Sequence, residues 1–237
     1  MNTVLHGDCL ELMKNIPDKS VDFICIDPPY GMTACKWDSI VSFDLLWNEF
    51  NRIGKNGYVC AIFGSQPFTT LVINSNIKKF KYCWYWNKNQ GTNFFHAKRM
   101  PIRKVEEISI FGGKHYYPQI TDGHVPTNSA RGVSNGKTYH GSNKRNYEGG
   151  NTTRFPDNIL NFKCVDNYSR IHSSQKPVEL LEYLVKTYTN ENEVILDCFA
   201  GSGTTLVAAK NTNRRYIGIE KEREYFEYCL TRLKKDS

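Results

Sequence analysis

The pattern of hydrophobic and polar positions divides the first part of the chain into alternating strand-like and helix-like segments. Short, almost continuous apolar runs predict buried β-strands at 21–27 (VDFICID), 57–63 (GYVCAIF), 80–86 and 105–111 (VEEISIF). Helical spacing of large apolar residues predicts a helix at 43–53, and a second helix at 67–77 is opened by Pro67. Strands and helices therefore alternate, as they do in α/β proteins.

Regular alternation returns at the end of the chain. Strands are predicted at 193–198 (EVILDC) and 215–220 (RYIGIE), and helices at 177–188, 203–210 and 223–234. This order of elements is typical of a mixed, mostly parallel sheet with helices on its faces.

The intervening segment has a different texture. Residues 112–170 are rich in Gly, Asn, Ser, Thr, Tyr and basic residues and show little periodicity, which predicts a loop-rich insertion with a few short strands. A linker or a disordered segment is the alternative, and the interspersed aromatic residues argue against complete disorder. The predicted organisation is one α/β domain made of two halves, residues 1–111 and 171–237, with the inserted region 112–170 between them.

Composition narrows the class of protein. The 237 residues can form one sizeable α/β core, and the net charge of +7 favours a polyanionic partner, although many proteins are mildly basic without a functional reason. The eight cysteines form no Cys-x-x-Cys pair and no zinc-type array, so no metal is expected. Without a leader or a membrane-length apolar run, we expect a cytoplasmic protein with reduced thiols and no membrane partner.

A glycine-containing loop follows the predicted strand at 193–198. In DCFAGSGTT (197–205), glycines allow the backbone to approach a ligand, and Glu220, at the end of the next strand, can accept hydrogen bonds from a ribose diol. A dinucleotide site would require a third glycine after Gly203. The acid Asp197 is better suited to a ligand with a positive charge, such as the amino group of S-adenosylmethionine. The alternative is a tight turn without a ligand.

The tetrapeptide Asp27-Pro28-Pro29-Tyr30 follows the first buried strand directly. The two prolines fix the backbone, so that the Pro28 carbonyl and the Asp27 carboxylate are two adjacent acceptors, which suits one NH2 group. The amino nitrogen of adenine or cytosine is a poor nucleophile, and holding both of its hydrogens aims its lone pair at a methyl donor. Tyr30 offers a face on which an extruded base can stack. The alternative is a Pro-Pro turn with a surface tyrosine.

Further segments accompany these two motifs in a fixed order: LHGDC at 5–9, VEEI at 105–108, SQKP at 174–177 and GIE at 218–220. Together the segments resemble the DNA amino-methyltransferases in their circularly permuted arrangement, the β group. The resemblance implies the Rossmann-like fold of methyltransferases that use S-adenosylmethionine. It also implies that residues 112–170 are the target-recognition region.

The same resemblance implies direct in-line methyl transfer to the exocyclic N6 of a flipped adenine in double-stranded DNA, with Asp27, Pro28, Pro29 and Tyr30 as catalytic residues. The aspartate at position 27 favours adenine, since cytosine-N4 enzymes of the family more often have serine there. A cytosine-N4 DNA methyltransferase, an RNA amino-methyltransferase and a non-catalytic DNA-binding module remain alternatives. The family includes homodimers and enzymes paired with a restriction endonuclease, and the sequence decides neither.

The resemblance also implies the cofactor-binding residues, which are Asp8, Cys9, His172, Ser174, Lys176, Asp197, Phe199, Ala200, Gly201, Ser202, Gly203, Thr204, Thr205 and Glu220. Some have ordinary alternatives. Asp8 is equally suited to cap a helix at 9–15, Ser174 to cap the helix that follows Pro177, and Phe199 to pack in the core. His172 is the least specific, because a lone histidine is more often packed or solvated.

Basic residues are dense at 96–104 (HAKRMPIRK), between two predicted strands, and recur in the insertion. We expect these segments to contact phosphates and base edges of DNA, although a solvated charged loop is the alternative. The predicted DNA-binding residues are Lys98, Arg99, Arg103, Lys104, Arg131, Lys137, Lys144, Arg145 and Arg154.

Overall fold

The structure is a computed structural model that describes residues 2–31, 41–92, 94–126, 149–166 and 175–235. Its strands are β1 (Thr3–His6), β2 (Val21–Ile26), β3 (Gly54–Gly64), β4 (Phe80–Thr92), β5 (Arg103–Gly112), β6 (Ile159–Asn161), β7 (Val194–Asp197) and β8 (Arg215–Glu220). Its α-helices are α1 (Cys9–Met13), α2 (Phe43–Ile53), α3 (Phe68–Ser75), α4 (Val178–Tyr188), α5 (Thr204–Asn211) and α6 (Arg223–Lys235), and a short 3-10 turn covers Phe94–His96.

The eight strands of the described residues belong to one sheet, in the order β1-β8-β7-β2-β3-β5-β4-β6. Neighbouring strands are parallel except where β5 pairs antiparallel with β3 and with β4. The mixed, mostly parallel α/β sheet predicted from the alternating pattern is thereby confirmed.

The core lies on both faces of the sheet, because alternate residues of each strand point to opposite sides. On β2, Phe23 and Cys25 belong to one buried cluster together with residues of α4, α5 and α6. Ile24 and Ile26 belong to the other cluster, with residues of α1, α2 and α3. Burial on both faces explains why β2 is almost uninterruptedly apolar.

The two ends of the chain join the same sheet. β1 pairs with β8, and β2 lies between β3 and β7. Because β2 and β7 are parallel neighbours, their carboxyl ends lie at one edge of the sheet. The residues after β2 and after β7, which are the tetrapeptide 27–30 and the glycine loop 197–205, are therefore placed at that edge.

Residues Pro118–Asp157 form a second compact unit, separate from the unit of Met1–Tyr117 and Asn158–Ser237. Within the described part of the second unit, Thr121 and Arg154 form an antiparallel bridge. The Arg154 guanidinium donates to the carbonyls of Asn151 and Val125 at 2.9 and 2.6 Å. The strand β6, which lies in the segment predicted as an insertion, pairs with β4 in the main sheet.

The hairpin of β4 and β5 is longer than the apolar pattern indicated. Polar residues at 87–92 extend β4 because pairing with β5 satisfies their backbone groups, as in the register Thr92 to Arg103. Arg103 and Lys104, which were expected in a loop between strands, are therefore strand residues of β5. None of the described helices is both long enough and apolar enough to span a membrane.

Candidate active site

The carboxylate of Asp27 is bonded on both sides. Its Oδ1 accepts a hydrogen bond from the Tyr30 hydroxyl at 2.6 Å, and its Oδ2 accepts one from the Lys176 ammonium at 2.6 Å. Burial, followed by the neighbouring Asp27, raises the pKa of Tyr30 well above its usual value, so the phenol stays a neutral donor. The Tyr30 ring stacks on Phe68 with centroids 4.7 Å apart. Because Tyr30 is partly buried and hydrogen-bonded to Asp27, it is not the exposed surface tyrosine that the sequence left as an alternative.

Lys176 connects Asp27 to a second carboxylate. Its ammonium lies 3.3 Å from Glu106 Oε2, and Glu106 Oε1 accepts from Lys88 at 3.0 Å. We call Asp27, Lys176, Glu106 and Lys88 the charge chain. Only 9% of the Lys176 side chain and 8% of the Lys88 side chain are exposed. The chain alternates negative and positive groups, so that buried charges compensate one another.

The pKa values of the two central groups reflect this compensation. Burial acts to lower the pKa of Lys176, but the carboxylates of Asp27 and Glu106 outweigh it and hold that pKa above its usual value. Burial acts to raise the pKa of Glu106, but the ammonium groups of Lys176 and Lys88 hold it below its usual value. The ion pairs therefore favour the charged forms of Lys176 and Glu106 inside the protein.

The glycine loop is organised by two buried carboxylates. Glu220 Oε2 accepts from the Gly201 N–H at 2.7 Å, and Glu220 Oε1 accepts from the Glu222 N–H at 2.7 Å. Asp197 Oδ1 accepts from the Phe199 N–H at 3.0 Å. Burial raises the pKa of Glu220, and burial likewise raises the pKa of Asp197, to about 7. Both carboxylates would gain from a ligand that offers hydrogen-bond donors or a positive charge.

The two glycines of the loop have different surroundings. Both have left-handed backbones, with φ of 51° at Gly201 and 78° at Gly203. A Cβ at Gly203 would collide with the Cys229 thiol of α6, whereas a Cβ at Gly201 would meet no atom of the described residues within 4 Å. Gly203 is therefore required by helix packing, and Gly201 borders open space where a ligand can approach the backbone.

The other loop residues are tied to neighbouring elements. Ala200 N–H donates to the Ile219 carbonyl at 2.9 Å, and the Thr204 hydroxyl accepts from Arg232 of α6 at 2.9 Å. The side chain of Thr205 hydrogen-bonds to Asp197. Ser202 is also buried, and Phe199 packs partly buried against the core cluster that contains Ile26 and Phe68.

Asp8 lies near this loop because β1 pairs with β8. The Gly7 N–H donates to the Glu220 carbonyl at 2.9 Å, and Asp8 follows directly. Asp8 Oδ1 caps α1 by accepting from the Leu10 N–H at 3.0 Å, which is the capping role considered from the sequence. Asp8 Oδ2 lies 3.4 Å from the Lys221 ammonium. The thiol of Cys9 is hydrogen-bonded to that of Cys198, which follows β7.

Some predicted site residues lie outside the described residues, namely His172, Ser174, Arg131, Lys137, Lys144 and Arg145. Lys98, Arg99, Arg103 and Lys104 are all exposed on the β4–β5 hairpin. Sequence reasoning did not identify Lys88, Glu106 or Phe68 as site residues. The available signal was the pair Glu106-Glu107 within the mostly apolar run at 105–111.

Comparison with known proteins is consistent with this geometry. A family model described as DNA methylase, the N6/N4 methyltransferase model, matches residues 21–231. The type II methyltransferase M.HinfI of Haemophilus influenzae is 28% identical, over 99% of this chain and 68% of that protein. The DNA adenine methyltransferase YhdJ of Escherichia coli K12 is 28% identical, over 98% of this chain and 82% of that protein.

Solved structures agree with the fold. The complex of M1.HpyAVI with S-adenosylmethionine aligns with a TM-score of 0.67 and 26% identity, covering 98% of this chain and 99% of that one. The cytosine-N4-specific PvuII DNA methyltransferase aligns with a TM-score of 0.68 and 17% identity, covering 98% of this chain and 86% of that one, and shows a shared fold alone. The predicted family is thus confirmed by a match to most of the chain, and the chain belongs to the DNA methylase family of N6/N4 methyltransferases.

Proposed function

We propose that this protein transfers a methyl group from S-adenosylmethionine to the exocyclic N6 of a flipped adenine in double-stranded DNA. The observation that carries the proposal is the placement of Asp27, an anchored carboxylate acceptor, at the same sheet edge as the glycine loop. The similarity to a DNA adenine methyltransferase and to type II methyltransferases supports the substrate class.

The residues of the glycine loop fit the cofactor. Glu220 is a buried acceptor for the ribose diol, Asp197 a buried acid for the methionine ammonium, and Gly201 leaves room beside the backbone. Asp8 Oδ2 is not the oxygen that caps the helix, and beside its contact with Lys221 it can accept from the amino group of the cofactor adenine. When bound, S-adenosylmethionine supplies an activated methyl group, since its sulfonium is already an electrophile. The structure of M1.HpyAVI, which shares this fold, is that of a complex with this cofactor.

Asp27 and Pro28 orient the target amine. A carboxylate oxygen can accept more than one hydrogen bond, so Asp27 Oδ1 can take an amine N–H while Tyr30 still donates to it. The rigid Pro28 carbonyl takes the second N–H, and the lone pair then points away from both acceptors. The positive charge that develops on the nitrogen is stabilised by the Asp27 carboxylate. The target base stacks on the Tyr30 face opposite Phe68.

Adenine is preferred over cytosine because position 27 is an aspartate, by resemblance to the family. Residues 112–170 form the target-recognition region of this proposal, and the basic residues predicted to bind DNA supply phosphate contacts. The similarity to type II methyltransferases supports a role beside a restriction endonuclease.

The test is to incubate DNA with labelled S-adenosylmethionine and identify the modified nucleoside. We expect N6-methyladenine. N4-methylcytosine alone, or transfer to RNA alone, would contradict the proposal. Asp27→Ala is the matched control: it should abolish transfer while retaining cofactor binding measured by calorimetry, and retained turnover would refute the role of Asp27.

A further inference from the structure

The β4–β5 hairpin extends beyond the sheet on the side of Asp27. The last residue of β3, Gly64, pairs with Glu107 of β5. From that level the two strands continue together to the pair formed by Thr92 and Arg103. Four residues of β5 correspond to about 13 Å of extended chain. Because β3 and β2 are parallel neighbours, this projection leaves the sheet at the edge where the tetrapeptide 27–30 lies.

The tip of the hairpin has a regular structure that is held by backbone hydrogen bonds. After the 3-10 turn Phe94–His96, the Ala97 N–H donates to the Phe94 carbonyl at 3.0 Å, and the Met100 N–H donates to the His96 carbonyl at 2.9 Å. Gly91 lies directly beneath the side chain of Ile102, and its missing Cβ would stand 3.6 Å from the Phe94 ring. Phe94 therefore packs back onto the hairpin.

Phe95 is held differently from its neighbour. Phe95 is fully exposed, whereas 64% of Phe94 is exposed. A fully solvated phenylalanine on an ordered turn forgoes the free energy of burying its ring. Such a residue is a candidate for burial in a partner.

The charge around Phe95 selects the class of partner. Lys98, Arg99, Arg103 and Lys104 follow Phe95 closely in the sequence and are exposed, and residues 88–105 contain no acid. A second copy of this chain that presented the same hairpin tip would be repelled by these cations. Nucleic acid combines phosphates for the cations with stacked bases for the ring.

We propose that Phe95 enters the base stack of duplex DNA beside the target nucleotide and occupies the space that the flipped base leaves, while Lys98 and Arg99 hold the flanking phosphates. This inference rests on the proposed function. Stacking of the ring on the bases that remain compensates for the stacking lost when the target is extruded. Phe95 then stabilises the flipped state and takes no part in methyl transfer itself.

The experiment compares two oligonucleotide duplexes that contain the recognition sequence, which is first read from methylated bases in DNA of a host expressing the wild type. In one duplex the target base is paired, and in the other it faces an abasic site and is already loosely held. Phe95→Ala should lower kcat/KM on the paired duplex by about 5-fold to 100-fold and leave the abasic duplex nearly unaffected. Phe95→Trp should retain activity on both.

Ile77→Ala is the matched control. Ile77 is 60% exposed and lies just before the start of β4, at the opposite end of that strand from the hairpin tip, so we expect no effect on either duplex. An equal loss on both duplexes for Phe95→Ala, no loss on either, or a changed oligomeric state in gel filtration would overturn the inference. If the wild type methylates neither duplex, the proposed function itself fails, which is a distinguishable result.

Discussion

The Lys176 ammonium lies 2.6 Å from Asp27 Oδ2, although the two residues are 149 positions apart in the chain. This ion pair fixes the carboxylate of the tetrapeptide from the opposite half of the protein. It also gives Lys176, which was predicted to contact the cofactor, an ion pair with the carboxylate that we propose orients the target amine. Part of the geometry of the proposed active site therefore depends on a contact between segments that are far apart in the chain.

Lys176→Met should lower both stability and methyl transfer. The change leaves the Asp27 and Glu106 carboxylates without their shared cation, and breaking a buried pair costs about 3–5 kcal/mol. We expect a clear fall in the midpoint of urea unfolding and a loss of single-turnover activity. Lys186→Met on α4 is the control, because Lys186 is half exposed and lies 3.9 Å from Glu182. Equal stability of the two variants would contradict the importance of the Lys176 pair.

Lys88 should act as a positioning residue. Lys88 contacts Glu106 and not Asp27, so it influences Asp27 only through Glu106 and Lys176 of the charge chain. With Lys88→Met, Glu106 should compete more strongly for Lys176 and draw it from Asp27. We expect kcat to fall about 10-fold, as for a loss of orientation, with KM for the cofactor unchanged.

Lys88→Arg provides the corresponding control, since it restores a cation next to Glu106. It should recover most of kcat if the charge chain positions Asp27. A merely structural Lys88 would instead lower stability and leave the kinetics of the folded fraction unchanged, and that pattern would contradict the positioning role.

Much of this site is visible in the sequence, because its two loops are short motifs that directly follow apolar strands. The pairing of Lys88 with Glu106 was not accessible, since it depends on the register between β4 and β5. The position of Phe95 at the end of a projecting hairpin could not be predicted for a related reason. The polar residues at 87–92 show no alternation of apolar side chains, yet their backbone pairing makes them part of β4. Hydrophobic periodicity identifies elements that bury a face, and it says little about hairpin ends that bury none.

Asp197 should make cofactor affinity depend on pH. Burial raises its pKa from 3.8 to about 7. The folded protein therefore holds a proton that the unfolded chain releases between these values, so the contribution of Asp197 to stability is present at low pH and declines as pH rises through about 7. The methionine ammonium selects the ionised carboxylate, and with an ordinary pKa of about 8 it is still mostly protonated at pH 7. We therefore expect calorimetry to show binding of S-adenosylmethionine about 5-fold weaker at pH 6 than at pH 7.

Two controls isolate that titration. Methylthioadenosine, which lacks the amino acid portion, should bind with little dependence on pH over the same interval. Asp197→Asn should bind S-adenosylmethionine weakly at both pH values. A pH dependence shared by both ligands would assign the titration to a group other than Asp197.

Gly203→Ala and Gly201→Ala should separate folding from cofactor binding within a single loop. Both place a Cβ on a left-handed backbone, which costs about 1–2 kcal/mol. At Gly203 the new methyl group also meets the Cys229 thiol of α6, so this variant should unfold at a distinctly lower urea concentration. At Gly201 it enters open space, so stability should fall only by the backbone cost while affinity for S-adenosylmethionine drops. The opposite order of stabilities would contradict the assignment of Gly203 to packing and Gly201 to the ligand.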